Sequence, residues 1–206
     1  MERTDQIKMA ISGSLTVLAV VFALLARRPW CWLAALAMAV SSIGDGLLAG
    51  CPACFRPVKN RLIKGGLVFF AAHILYILAL IRVSGQGMEA LMPHFGVPFL
   101  IFALLIAIHG YLYYFRAASQ TPLAFFAAAT CYLLSVGIHA ATAVCVYTLT
   151  GGALILNVIG AVLFFLSDAI LMARKYVPSN ENRTSLLVWL TYVPAQLCLI
   201  LGFFLA

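Results

Sequence analysis

The sequence predicts an all-α protein, a polytopic transmembrane helical bundle of about seven spans. Three observations carry that prediction. Hydrophobic residues make up 65% of the 206-residue chain and charged residues only 9%. The mean hydropathy is +1.07. The apolar residues also fall into runs of roughly twenty, the length at which a helix crosses a hydrocarbon core of about 30 Å. A water-soluble domain of this size has no interior large enough to hide so much apolar surface.

The first run, Ile7 to Leu25, is longer than the apolar core of an ordinary secretory signal and is read as a retained helix. Arg27-Arg28-Pro29 ends it, and the second run goes from Trp30 to Gly50. After a loop with two prolines comes Ile63 to Ile81, and after Ser84 to Pro93 comes Val97 to Phe115. The fifth run, Leu123 to Leu149, overshoots a straight crossing and must tilt, bend or break. Thr150 to Gly152 separates it from Ala153 to Ala173, and Pro178 to Thr184 precedes the last run, Ser185 to Leu205. No loop is long enough for a second domain, so residues 1–206 are expected to form one.

The net charge of +7 would suggest nucleic acid in a soluble protein, but here the basic residues sit between apolar runs, where their partners are membrane lipids. No nucleic acid is expected. With the N-terminus inside, the cytoplasmic side holds Arg3, Lys8, Arg56, Lys59, Arg61, Lys64, Arg116, Arg174, Lys175 and Arg183, against Arg27, Arg28 and Arg82 outside. That excess predicts a cytoplasmic N-terminus. Oligomeric state is not legible.

Four of the six cysteines, Cys31, Cys131, Cys145 and Cys198, lie in or beside apolar runs, where a thiol behaves as a small hydrophobe. Cys51 and Cys54 form a CPAC sequence that lacks the second CxxC or paired histidines of a zinc site. No HExxH occurs either, so neither a metal nor another cofactor is expected.

Two residues stand where lipid should have excluded them. Asp45 lies near the end of the second run, with Ser41 one turn back, and Asp168 near the end of the sixth, after Ser167. A carboxylate in hydrocarbon costs several kcal/mol, and so short a side chain cannot snorkel to the headgroups. Both runs end on the same side, so the two acids are expected to share one cavity. His73 and Tyr76 make a polar stripe on the third run, and Tyr192 and Gln196 make another on the seventh. His109 with Tyr113 could join the cavity, whereas His139 is placed nearer the outer side and given no role.

These pieces, in this order, resemble the YhhN family, whose characterised members are lysoplasmalogenases. The resemblance rests on Gly44-Asp45, Phe70-Ala71-Ala72-His73-Ile74-Leu75-Tyr76, Gly160 through Asp168, and Thr191 through Leu197. Family members commonly have eight spans, so this chain looks one short. The resemblance implies hydrolysis of the vinyl ether bond of a lysoplasmalogen to a fatty aldehyde and a glycerophospho-base.

On that reading Asp45, Asp168 and His73 are catalytic, and Tyr76, Ser167, Tyr192 and Gln196 bind the substrate. Vinyl ethers hydrolyse by protonation of the outer alkene carbon, followed by capture of the oxocarbenium ion by water, which calls for one protonated acid and one anion. A single-chain lysophospholipid would enter from the leaflet with its tail between helices and its phosphate near Arg56, Lys59, Arg61, Lys64 or Arg174. Two other classes fit the same residues: a proton- or cation-coupled small-molecule transporter, and a lipid-binding membrane protein without chemistry.

Overall fold

A computed structural model describes residues 3–50, 61–116, 123–173 and 181–206, and these are almost wholly helical. Helix α1 spans Arg3–Ala26 and α2 spans Pro29–Ala49. Between them Arg27 takes a left-handed turn, φ 54, and Pro29 opens α2 where a missing N–H costs nothing. Gly50 closes α2, also left-handed, with its N–H on the carbonyls of Gly46 and Leu47. Helix α3 spans Arg61–Ser84. The Ser84 hydroxyl donates to the Ile81 carbonyl and accepts from the Gln86 N–H, which turns the chain toward α4.

Helix α4, Met88–Arg116, begins well before the apolar run that predicted it, and Pro93 and Pro98 lie inside it. Its opening residues, Met88 to Met92, are good helix formers with Glu89 in the first turn, and they extend the helix ahead of Pro93. Helix α5, Leu123–Thr150, is one continuous helix of 28 residues. At about 1.5 Å per residue it is roughly 42 Å long, so of the three expectations for this run, a break is excluded. Gly151 and Gly152, both with positive φ, turn the chain through a short 3-10 segment, Gly152–Leu154, into α6, Ile155–Ala173. Helix α7 spans Glu181–Leu205.

Neighbour relations give the architecture. Helix α2 packs on α3, α3 on α5, α5 on α6, α6 on α7 and α7 on α2, a closed ring of five. Helix α1 lies outside the ring against α2 and α7, and α4 lies outside against α5. All seven helices are long and apolar enough to cross a membrane. Their outer faces carry Val17, Leu25, Leu67, Val97, Leu100, Leu104 and Leu190, all exposed, which suits a hydrocarbon solvent.

Small residues set how closely the ring closes. A methyl group on Gly160 would come within 2.8 Å of the Ala195 carbonyl oxygen, so α6 and α7 touch backbone to backbone there. At Gly44 the space of a side chain is taken by the Phe69 ring from α3. Membrane helices gain packing in this way because no hydrophobic force drives them together in lipid.

Candidate active site

Where α1 and α7 begin and α2 and α6 end, the bundle encloses an open cavity of about 140 Å³. Asp45 and Asp168 both line it, with Ser167, Phe69, Trp189 and Tyr192, while Asp5, Lys8 and Ser185 stand at its mouth. The helix directions account for this. Each aspartate sits one turn from the C-terminus of its helix, and α2 and α6 both flank α7.

Asp45 is buried, and its Oδ2 accepts two hydrogen bonds, from the Ser12 hydroxyl at 2.5 Å and the Tyr192 hydroxyl at 2.7 Å. Ser12 belongs to α1 and is itself fully buried, with its Oγ 2.9 Å from Ser42 Oγ; Ser42 lies 2.7 Å from Thr16. The outer helix α1 is thus tied by hydroxyls to the helix that bears the acid.

Asp168 accepts a hydrogen bond from the Tyr132 hydroxyl at 2.8 Å, and His73 Nε2 stands 4.0 Å from the same oxygen. That second distance is too long for a direct hydrogen bond but suits a bridging water or a small approach. On its other side His73 meets His139, with the two Nδ1 atoms 3.0 Å apart. The His139 ring stacks on Tyr76 at 5.4 Å between centroids. Tyr76 donates to Gln196 Oε1 at 2.7 Å, and Gln196 Nε2 donates to the Tyr192 hydroxyl at 3.2 Å.

A line of buried polar groups therefore runs from Asp45 through Tyr192, Gln196, Tyr76, His139 and His73 to Asp168. It crosses the ring from α2 by way of α7, α3 and α5 to α6. His73, His139, Tyr76 and Gln196 are all at 0% exposure, so the network is closed from solvent except through the cavity. Such groups persist in an apolar interior only when their partners are fixed.

Asp45, Asp168, His73, Tyr76, Tyr192 and Gln196 from the sequence reading all join this network. Ser167 lines the cavity, but its hydroxyl donates to the Val188 carbonyl at 3.2 Å and fastens α6 to α7. His139 is a correction: it lies in the centre, against His73, and not toward the outer side. Depth counting failed because a helix as long as α5 has no fixed register with the bilayer. His109 is on α4, which packs on α5 outside the ring, and it does not line the cavity. Tyr132 and Ser12 were missed altogether. Tyr132, Ser135 and His139 fall at i, i+3 and i+7, a polar stripe on α5 that could have revealed two of the network's members.

Arg61 and Lys64 are exposed at the start of α3 and do not line the cavity; the basic residue at its mouth is Lys8. Lys8 Nζ donates to Ser185 Oγ at 3.0 Å, lies 3.9 Å from Asp5, and faces the Trp189 ring at 5.8 Å. Arg56, Lys59, Arg174 and the cysteines Cys51 and Cys54 are outside the described residues.

No curated protein and no solved structure matches the chain. A family model does, over residues 6–203, a stretch that takes in both aspartates and nearly all of every helix that builds the cavity. With seven membrane-length helices and that near-complete match, the chain belongs to the YhhN family.

Proposed function

We propose that this protein is a membrane-embedded ether hydrolase that cleaves the vinyl ether of a lysoplasmalogen. One observation carries the reading: two buried aspartates line one small cavity, each held by a tyrosine hydroxyl, with a histidine beside one of them. Family membership supports it.

Asp168, with one hydroxyl donor and His73 nearby, is the acid that protonates the outer alkene carbon. Asp45, with two hydroxyl donors on one oxygen, is the anion that faces the oxocarbenium ion, since hydrogen bonds to a carboxylate favour its ionised form. Water adds to the cation, and the resulting hemiacetal collapses to aldehyde and glycerophospho-base. The proton released in that capture returns to Asp168 by way of His73. Lys8 at the mouth receives the phosphate, and the basic excess of the adjoining segments supports a cytoplasmic position for this end of the bundle.

The test is aldehyde release from a synthetic lysoplasmalogen by purified protein in detergent, with Asp45→Asn and Asp168→Asn beside it. Release by the unaltered protein and none by either folded variant supports the proposal. Full activity in both variants ends the mechanism, and ion-driven flux across liposomes without aldehyde would move the assignment to transport.

A further inference from the structure

A second hollow adjoins the cavity, and its character is opposite. Between the first halves of α3 and α5 lies a groove of about 280 Å³, lined by Gly66, Leu67 and Phe70 of α3, Ala128 and Tyr132 of α5, and Met172 of α6, among others. Leu67 is 66% and Phe70 39% exposed, so the groove opens sideways to the lipid. Its walls are hydrocarbon, aromatic rings and sulfur, and among the described residues no charged group lines it.

Two helices, α3 and α6, contribute residues to both hollows, and α5 joins them through one side chain. On α3, Phe69 lines the polar cavity and Phe70 the groove. On α6, Asp168 lines the cavity and Met172, one turn on, the groove. On α5, Tyr132 lines the groove while its hydroxyl holds Asp168. Tyr132 is thus the divider, buried to 6% exposure, with its ring toward the hydrocarbon side and its oxygen on the acid.

We infer that this α3–α5 groove receives the single hydrocarbon tail of the lipid substrate, with Tyr132 fixing the first tail carbons against Asp168. The inference rests on the proposed lipid hydrolysis and deepens it. A vinyl ether begins at the first tail carbon, so the reacting bond must lie where the tail hollow meets the acid. Tyr132 marks that place. The volume, near the low end of the roughly 300–1,000 Å³ typical of small-molecule sites, has room for the first part of one hydrocarbon chain.

Gly66 supplies the test, because it lines the groove and a Cβ placed there meets no protein atom within 4 Å, so a larger residue can enter the groove from an unstrained start. Gly96 on α4 is equally open and serves as the control. Protein in diacyl phosphatidylcholine nanodiscs is photolabelled with a lysophosphatidylcholine that carries a diazirine in its tail, and the labelled residues are identified by mass spectrometry. Label concentrated on residues 66–70 and 128–132, competed by excess plain lysophosphatidylcholine and cut several-fold by Gly66→Leu but not by Gly96→Leu, is the expected result. Label spread evenly over lipid-facing α1 and α4, or indifferent to Gly66→Leu, overturns the groove.

Labelling needs no turnover, so the two readings fail separately. Saturable groove labelling of a protein that releases no aldehyde keeps the groove and removes the ether chemistry. Aldehyde release with evenly spread label does the reverse.

Discussion

The Nδ1 atoms of His73 and His139 lie 3.0 Å apart in the middle of the bundle, and neither ring has any exposed surface. Two imidazole nitrogens at that distance take opposite roles, one donating and the other accepting. The role His73 plays at Nδ1 fixes its Nε2, which faces Asp168 at 4.0 Å. If His139 donates, His73 turns an N–H toward the acid; if His73 donates, it turns a lone pair. On the proposed hydrolysis, His139 would be a positioning residue, acting on Asp168 through His73.

Replacing His139 by alanine should lower kcat on the order of 10- to 100-fold with little change in KM, less than the roughly 10²- to 10⁴-fold that general acid–base catalysis supplies. The His73 ring nitrogens, read by ¹⁵N NMR in selectively labelled protein, should lose their single tautomer. An unchanged His73 spectrum with reduced kcat would show that His139 acts only by filling space.

Tyr132→Phe separates the two duties of that side chain. The ring stays in the groove, so labelling by the diazirine lysolipid should persist, while loss of the hydroxyl on Asp168 should cost about 2 kcal/mol in transition-state binding, roughly thirtyfold in kcat/KM. Equal losses of label and turnover would contradict that division.

Lys8→Met removes the cation at the cavity mouth. One basic group near a phosphate is worth about 1 kcal/mol, so KM for a lysophospholipid should rise roughly fivefold while kcat holds. The difference between the two proteins should shrink at high salt, and a KM insensitive to both substitution and salt would place the headgroup elsewhere.

Gly160→Ala tests the closure of the ring. Its new methyl group meets a backbone oxygen and two atoms of Leu199, so α6 must move away from α7, at about 1–3 kcal/mol. Thermal unfolding in detergent should shift down clearly for Gly160→Ala and hardly at all for Gly66→Ala, which meets open space. Matching shifts would mean that the α6–α7 contact yields more easily than its geometry implies.

Much of the architecture was legible from the chain because lipid imposes one simple rule. A span must satisfy its own backbone, so each becomes a helix about twenty apolar residues long, and seven such runs became seven helices. The start of α4 was misplaced because Pro93 and Pro98 read as punctuation, whereas the helix runs through both. The two aspartates announced themselves by cost, since ionisable groups in apolar runs demand a reason. Tyr132 and Ser12 carry no such penalty one at a time. Their hydroxyls and rings are ordinary in membrane helices, and only a partner gives them meaning.

The sequence by itself determined that the chain is a multi-pass membrane protein built on about seven apolar helices, and which two acids the lipid could not have tolerated without a shelter. The tertiary structure alone decided which helices are neighbours. Helix α4 lies outside, so α5 closes against α3 and brings His139 to His73 and Tyr132 to Asp168. Every helix in lipid presents much the same apolar surface, so helix order is set by shape: a glycine that admits a neighbouring backbone, a ring that fills a gap. Those fits are properties of pairs of surfaces, and no single stretch of sequence contains both.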